Sequence, residues 1–447
     1  MNLLTDNPKK VFFRFLVPAV SSAVAVAIYS FVDTIVIGQD KGPNGTAACA
    51  VLLPVFTLAS FIALLFGVGG AVLMSKARGE GNREKGDAYF TASLVAAGII
   101  TLVLWIAGMI FQKPLYRLCG ADDVLLPYVY EYGRWIFATY PTFVFVTLLG
   151  SFVRTDGAPR FVMIVTLIGG IFNIIGDIVF VFPCKMGMNG AALATAGGSV
   201  LQTVLLLVYI LLGKTSLHLA KPHQWLQAIK KITVVGFGAG FSQIAMAVVA
   251  FVINNQIMKY AGASALAVYG FLGTVSALFL SVFAGIGQAA QPLVSENYGA
   301  GQHKRCFEVG KLGIITAVVF GIVSFALCAL FPSQMVNIFM QPTPEVENIA
   351  PFIIRVCALS FLPMAINMFV MAYLQSVGKA NSATLISTLR GMVLPIILLY
   401  LMPYLWGSNG IWWAVTAADA LAAVPAAALI VGQLRKKKTG EKQCQLQ

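Results

Sequence analysis

Two acidic residues lie inside long apolar stretches of this sequence, and their chemistry is unusual for that setting. Asp33 falls in the run Tyr-Ser-Phe-Val-Asp-Thr-Ile-Val-Ile-Gly over 29–38, and Asp177 in Asn-Ile-Ile-Gly-Asp-Ile-Val-Phe-Val-Phe over 173–182. An ionisable group in such surroundings is costly, and in membrane proteins it usually faces a protein interior or a water-filled cavity. The two acids therefore indicate a site for a proton, an ion or a substrate.

The apolar stretches that hold these acids have the length of membrane-spanning helices. Of the 447 residues, 59% are hydrophobic and 11% are charged, with a mean hydropathy of +0.85, whereas a soluble domain carries about 25% charged residues. Runs of roughly 20 apolar residues recur, and they lack the alternation of barrel strands. We predict an all-α polytopic membrane protein. About twelve transmembrane helices are expected near 14–38, 49–73, 88–111, 128–152, 162–182, 191–213, 234–258, 264–293, 309–331, 348–374, 383–402 and 411–433.

The distribution of basic residues predicts the orientation of these helices. Loops on the side of the N-terminus carry most of the lysines and arginines, as the positive-inside rule expects of cytoplasmic loops. We predict a multi-pass protein of the cell (inner) membrane with both termini cytoplasmic and a basic tail, Arg435-Lys-Lys-Lys438, near anionic lipid. This placement accounts for the net charge of +13, so the charge does not indicate binding to nucleic acid.

Motifs that recur at one separation indicate two similar halves. Ser75-Lys-Ala-Arg-Gly-Glu-Gly81 matches Ser295-Glu-Asn-Tyr-Gly-Ala-Gly301, and Asn189-Gly190 matches Asn409-Gly410, each pair 220 residues apart. With six spans each, the halves keep one orientation, and such halves enclose a central cavity whose access alternates. We predict two pseudo-symmetric six-helix bundles, at 1–213 and 234–447, with a cytoplasmic connector at 214–233.

Four polar residues of the first half are expected to share one site. Asp33 and Asp177 lie about five residues before the outer ends of spans one and five, and Thr195 about four residues into span six, so all three lie roughly 6–8 Å below the edge of the bilayer core. Asn173 precedes Asp177 by one helical turn and shares its face. These oxygen ligands suit Na⁺, or a proton shared by the two acids. Alternatively, each acid only hydrogen-bonds a neighbouring helix and stabilises packing.

The second half has no equivalent set, because its matching positions are apolar or amide. Three uncharged polar residues in it either line a substrate cavity or hydrogen-bond between helices. They are Gln243, Asn254 and Asn367. Asp419, in the last span, is a further intramembrane acid with no evident partner in the sequence.

Pro18 lies in the first span, fifteen residues before Asp33. Proline removes a backbone hydrogen bond and is expected to bend the helix there. A bending helix that carries a titratable acid could couple ion binding to movement. The alternative is a lipid-facing proline that a membrane helix tolerates.

The sequence lacks the common nucleotide-binding and catalytic motifs. It contains no Walker A loop, no GxGxxG, no HExxH and no Ser/His/Asp arrangement, and its three histidines fall in predicted cytoplasmic loops. Its seven cysteines are scattered without a CxxC spacing, which disfavours a disulfide framework or a metal site. Primary ATP-driven transport and enzymatic activity are therefore disfavoured, and no cofactor is expected.

Taken in order, these residues resemble the multidrug and toxic compound extrusion (MATE) family over about residues 10–435. In the second half, the run from Gln375 to Lys379 is similar to the MepA-type bacterial branch. The other motifs that carry the resemblance are Pro18…Val32-Asp33-Thr34…Gly38, Gly67…Ser75…Gly79-Glu-Gly81, Leu118-Cys-Gly-Ala121, Arg154-Thr-Asp-Gly157, Asn173…Asp177 and Gly190-Ala-Ala-Leu-Ala-Thr195.

The resemblance implies a twelve-helix, V-shaped antiporter that exports organic cations against an inward flow of H⁺ or Na⁺. It assigns the cation or proton site of the N-terminal lobe to Asp33, Asn173, Asp177 and Thr195. Small-molecule organic cations and membrane lipids are the implied partners, and the protein is expected to be a monomer. The NorM-type branch has acids in spans seven and ten where this chain has Gln243 and uncharged residues, so the substrate contacts of that branch are not carried over.

A lipid-linked saccharide flippase of a related superfamily is the alternative function. Such a protein also has many spans and a central cavity, and it is expected to direct several arginines into that cavity. The arginines of this chain near span ends or interiors are expected to extend toward the membrane interface. They are Arg134, Arg355 and Arg390.

Overall fold

The computed structural model describes residues 3–339 and 344–444, and within these ranges the chain is helical and contains no strand. The side chains of residues 430–444, and with them the predicted basic tail, lie outside this description. The helices are α1 Pro8–Gly42, α2 Asn44–Gly79, α3 Arg83–Ile110, α4 Gln112–Leu118, α5 Leu126–Ala138, α6 Tyr140–Thr155, α7 Pro159–Val181, α8 Met188–Leu211, α9 Trp225–Tyr260, α10 Gly262–Gly299, α11 His303–Leu330, α12 Pro332–Phe339, α13 Pro344–Ala358, α14 Phe361–Ser376, α15 Ala380–Thr388, α16 Leu394–Trp406 and α17 Ser408–Cys444, with a π-helical turn at Leu389–Val393.

The predicted all-α fold with about twelve spans is confirmed. Among the described residues, eleven helical segments are long and apolar enough to cross a membrane, and α5 with α6, bent by 50° at their junction, makes the twelfth. Several helices are longer than predicted: α2 continues to Gly79 rather than 73, and α9 begins at Trp225 rather than 234. Hydropathy detects only the part of a helix in the bilayer core, whereas the 36 residues of α2 span about 54 Å against a core of about 30 Å.

Twelve crossings place both ends of the chain at the same end of the bundle. We call this end the terminal face; Pro8, Gly79, Gly299 and the connector between α8 and α9 lie there. The other end, where α1 meets α2 and α7 meets α8, is called the opposite face. The turn between α1 and α2 is made at Gly42, whose φ of 60° and ψ of −148° interrupt the helix.

Two clusters of buried apolar side chains form the cores of the two six-helix bundles, and α1 contributes to both. Val36 and Ile37, near the opposite face, belong to the core of the first bundle. Phe12 and Phe15, near the terminal face, are fully buried in the core of the second bundle. One helix therefore connects the end that carries Asp33 to the packing of the other bundle.

The two bundles touch through glycines near the terminal face. A Cβ on Gly79 would lie 2.0 Å from the carbonyl oxygen of Glu296, and one on Gly299 would lie 2.0 Å from that of Lys76. Both glycines and both carbonyls are 220 residues apart, so the contact has the symmetry of the sequence repeat. The hydroxyl of Ser75 adds a hydrogen bond across the same contact, to the carbonyl of Pro292 at 3.2 Å.

Pro18 is buried, so the alternative of a lipid-facing proline is wrong. Within α1 and α2 the dihedral angles depart from helical values only at Gly42, and the chain stays helical through Pro18. The hydroxyl of Ser22 donates to the carbonyl of Pro18 at 2.8 Å. This segment of α1 packs closely against α10, because a Cβ on Gly285 of α10 would lie 2.8 Å from the Cα of Val20. Bending at Pro18 stays a prediction.

Candidate functional site

The polar residues predicted for the first half meet near the opposite face. The Asn173 amide donates to the Thr195 hydroxyl at 3.0 Å, and that hydroxyl donates to the Asp33 carboxylate at 3.5 Å. Tyr132 of α5 donates to the other oxygen of Asp33 at 3.3 Å. Asp177 lies close enough for its carboxyl to interact electrostatically with that of Asp33. Residues from α1, α5, α7 and α8 thus form one polar cluster in an apolar bundle.

Small residues allow α7 and α8 to place these groups together. A Cβ on Gly176 would lie 2.8 Å from the Cβ of Ala194, and one on Gly198 would lie 3.0 Å from the carbonyl oxygen of Gly169. The two helices therefore approach closely on the faces that carry Asn173 and Thr195. Close approach through small residues is the usual way in which membrane helices associate.

Three oxygen atoms of the cluster are buried without a hydrogen-bond partner among the described residues. They are both carboxyl oxygens of Asp177 and the amide oxygen of Asn173. Asp177 is 0% exposed and Asn173 is 3% exposed. A buried polar group without a partner is rare and points to an unseen proton, ion or water, and an unpaired buried carboxylate is particularly costly. These oxygens, together with the Asp33 carboxylate, suit a proton or a hard monovalent cation.

Tyr132 was missed by the sequence reasoning, although a signal for it was present. Span four, predicted over 128–152, enters the bilayer from the same side as span six. Tyr132 lies about four residues into that predicted span, at the depth already assigned to Thr195. The hydroxyl of Tyr132 is one of the two that donate to Asp33.

A second polar layer lies deeper in the same bundle and was also missed. Tyr29, one turn before Asp33 on α1, lies near the side chain of Gln202 on α8. The hydroxyls of Thr142 and Ser199 lie 2.7 Å apart, and Thr203 donates to the carbonyl of Thr142 at 3.2 Å. These contacts join α1 and α6 to α8 beneath the acidic cluster.

The three residues proposed for a substrate cavity in the second half are not brought together as one set. Asn367 is fully buried and donates to the backbone carbonyl of Asp419 at 2.8 Å, which is a contact between α14 and α17. Gln243 is half-buried on α9, and Asn254 is exposed about 16 Å further along the same helix.

Asp419 has a partner that the sequence did not reveal. The Arg390 guanidinium donates to its carboxylate at 2.6 Å, and the two side chains are 21% and 9% exposed. Arg390 therefore points toward α17 instead of extending to the interface as predicted. It lies in the π-helical turn Leu389–Val393; such turns often occur at functional positions.

The other two intramembrane arginines lie apart from this pair. Arg134 is exposed, with its guanidinium 5.6 Å from the ring centre of Trp135. Arg355 is exposed and donates to the carbonyl of Ala329 at 3.1 Å. The three arginines therefore have three separate environments.

Comparisons with known proteins agree with this architecture. The family model MatE matches residues 18–179 and 239–401, one segment in each half of the chain. Multidrug export protein MepA of Staphylococcus saprophyticus is 27% identical over 437 residues, covering 97% of this chain and 95% of that protein. MepA of Staphylococcus aureus strain MRSA252 is 27% identical over 434 residues, covering 96% and 95%.

Solved structures of the same family share the fold. An outward-facing multidrug resistance MATE family transporter of the MOP superfamily superposes with a TM-score of 0.89 at 21% identity, covering 97% of each chain. A MATE structure in the straight conformation gives 0.90 at 21% identity, covering 98% of each chain. With the family model matched in both halves, the chain belongs to the MatE family of membrane transporters.

Proposed function

We propose that this protein exports amphipathic, often cationic small molecules in exchange for H⁺ or Na⁺ that enters at the Asp33–Asp177 cluster. The observation that carries the proposal is the buried carboxyl of Asp177, whose two oxygens have no partner among the described residues. The related proteins named multidrug export protein support the choice of substrate class.

The path of α1 supports a mechanism of coupling. Its opposite-face end carries Asp33, which accepts hydrogen bonds from Tyr132 and Thr195. Its terminal-face end packs through Phe12 and Phe15 into the other bundle. Binding of an ion at Asp33 changes the charge that Tyr132 and Thr195 stabilise, and α1 transmits the resulting shift to the contact between the bundles. An ion that favours one state by about 1–3 kcal/mol changes the ratio of states by 5- to 150-fold.

Either coupling ion fits the oxygen atoms of the cluster. Na⁺ would be bound by Asp33, Asn173, Asp177 and Thr195, which together offer two carboxylates, an amide oxygen and a hydroxyl. A proton would be shared between the two acids and stabilised by the same hydroxyl donors. Because both ions neutralise the same charge, either would permit the same change in α1.

In the proposed orientation the protein lies in the cell membrane with its terminal face in the cytoplasm. The basic residues of the loops at that face support it. The acidic cluster then lies near the outer side, where an inward-driven ion arrives. The lobes at 1–213 and 234–447 act as a monomeric unit surrounded by lipid, with 214–233 as their connector.

Transport in proteoliposomes tests this function. Efflux of a fluorescent organic cation such as ethidium is measured under an imposed Na⁺ gradient and, separately, under an imposed pH gradient. Wild type is expected to respond to one of the gradients, and Asp33→Asn and Asp177→Asn are expected to lose that response by at least tenfold. Asp123→Asn is the matched control, because Asp123 lies in an exposed loop next to Arg117 at the opposite face, near which the acidic cluster also lies.

Retention of wild-type exchange by both Asn variants would refute coupling through this cluster. No response of wild type to either gradient would refute ion-coupled export itself. Size-exclusion profiles and thermal unfolding of each variant separate loss of coupling from loss of folding.

The flippase alternative is disfavoured by the positions of the arginines. A pyrophosphate-binding cavity needs several cationic groups directed into one space. Arg134 is exposed beside Trp135, Arg355 binds a backbone carbonyl, and Arg390 is neutralised by Asp419. These separate environments support the exporter over the flippase.

A further inference from the structure

A cavity of about 770 Å³ opens at the terminal face where the two bundles meet. Its walls come from α2 of the first bundle, from the first turns of α9, and from the turn before α15 together with the first turn of that helix. It lies beside a close crossing of α2 and α9, where a Cβ on Gly236 would lie 1.9 Å from the carbonyl oxygen of Leu65. Whatever fills this cavity therefore contacts both bundles at once.

Lysines dominate the polar part of the lining. Lys230 and Lys231 come from α9, and Lys379 from the turn before α15. Lys76 of α2 adds a fourth positive charge, because its Nζ lies 3.7 Å from where a Cβ on Gly378 would be. The ion pairs found among the described residues involve none of these four lysines.

The surrounding sequence does not compensate this charge. The lining contains no Asp or Glu, and neither do residues 214–233, which lead into α9. Several like charges around one cavity repel one another, and an anion bound among them removes the repulsion. Lysine clusters close to the cytoplasmic ends of membrane-spanning helices commonly bind anionic lipid headgroups.

Two further features fit a phosphate that carries an acyl chain. The first turn of α15, at Ala380, Asn381 and Ser382, lines the cavity, and no side chain caps this nine-residue helix. Amides of a first helical turn have no partner within the helix and bind phosphate oxygens well. Leu73 and Val234 provide an apolar wall, which a free phosphate would not use but an acyl chain would.

We propose that this lysine-lined cavity binds the phosphate headgroup of an anionic phospholipid. The headgroup lies among Lys230, Lys231 and Lys379 at the first turn of α15, and the acyl chains follow the apolar wall. Because the site is built from α2 and α9 together, the bound lipid stabilises the state in which the bundles touch at the terminal face. Anionic lipid thus regulates access to that face, and free phosphate, which has the same headgroup chemistry, lacks the contact with the wall.

Titration of detergent-solubilised protein with three probes tests the site. The probes are dioctanoyl phosphatidylglycerol, dioctanoyl phosphatidylcholine and inorganic phosphate, with bound ligand counted by native mass spectrometry and the Tm followed in parallel. The variant Lys230→Gln/Lys231→Gln/Lys379→Gln removes three of the four positive charges and leaves Lys76 in place. The matched control, Lys214→Gln/Lys221→Gln/Lys304→Gln, removes three exposed lysines from the same face outside the cavity.

Wild type and the control are expected to bind phosphatidylglycerol with a rising Tm, and the cavity variant to bind it roughly 100-fold more weakly, from the loss of three lysine contacts. Equal weakening in both triple variants, or none in either, would overturn the site. Phosphate that binds as tightly as phosphatidylglycerol would overturn the assignment to a lipid. Phosphatidylcholine bound as tightly as phosphatidylglycerol would overturn the role of charge. Equal Tm values of the three proteins without ligand establish that they fold alike.

Discussion

Replacement of Gly79 or Gly299 by alanine is expected to separate the two bundles at the terminal face. Each added Cβ would lie 2.0 Å from a backbone carbonyl oxygen of the facing helix, on Glu296 or Lys76. Backbone atoms cannot rotate away as a side-chain end can, so α2 and α10 have to move. A carbon and an oxygen need about 3.3 Å, so the two helices have to part by about 1.3 Å.

The energetic effect follows from this overlap. Inserting a methyl group into a close-packed contact costs about 1–3 kcal/mol, and this cost applies only to the state in which the bundles touch. The population of that state relative to the separated one is then expected to fall by about 5- to 150-fold. The double variant is expected to cost less than the sum of the single ones, because one separation accommodates both methyl groups.

Electron paramagnetic resonance measures this separation directly. Spin labels are placed at Glu84→Cys and Lys304→Cys, exposed positions 220 residues apart at the terminal face, in a protein whose seven natural cysteines are replaced. Wild type is expected to give mainly one short distance, and each glycine variant to add a longer one. Gly98→Ala is the matched control, because its Cβ would meet the ring of Phe145 at an ordinary 3.7 Å. Distance distributions and Tm values identical to wild type in both glycine variants would refute the role of this contact.

Two further predictions concern polar pairs inside the bundles. Arg390→Gln is expected to destabilise the protein by about 3–5 kcal/mol, because it leaves the buried Asp419 carboxylate without its cation. The double variant Arg390→Met/Asp419→Leu is expected to recover most of that loss. Thermal unfolding measures both effects, and an equal loss of stability in the single and double variants would contradict a paired charge. Tyr132→Phe removes one donor to Asp33 and is expected to strengthen binding of the coupling ion by about 2- to 10-fold, because the lost hydrogen bond of about 0.5–1.5 kcal/mol stabilises the charged carboxylate that the ion neutralises. The Tm is expected to fall by no more than a few degrees. The ion concentration that gives half-maximal exchange in proteoliposomes checks this, and an unchanged value would exclude Tyr132 from the site.

The repeat and the spans were readable from the sequence because they depend on local properties. A run of apolar residues crosses a bilayer whatever its neighbours are, and an acid within such a run is costly in any arrangement. For that reason Asp33 and Asp177 could be singled out before any helix was placed. Thr195 falls at the depth of both acids because the rise of a helix is the same in every span, and Asn173 falls on the face of Asp177 because it precedes it by one helical turn.

Partners across helices were not readable, because they depend on which faces meet. Asp419 has no evident partner in the sequence. In the folded protein, Arg390 of the π-helical turn before α16 donates from Nε to the carboxylate of Asp419 on α17 at 2.6 Å. Pro18 could have faced lipid or protein, and only packing against the second bundle showed that it is buried.

The sequence by itself determined that this is a twelve-span protein of two similar halves, with a polar site around Asp33 and Asp177 in the first half. Both properties follow from single segments, because the cost of placing an acid in an apolar span and the rise of a helix do not depend on neighbouring helices. Only the tertiary structure decided that Tyr132 completes that site, that α1 is shared by both cores, and that Gly79 and Gly299 touch the facing backbone. These contacts join residues far apart along the chain, and their geometry depends on how whole helices pack.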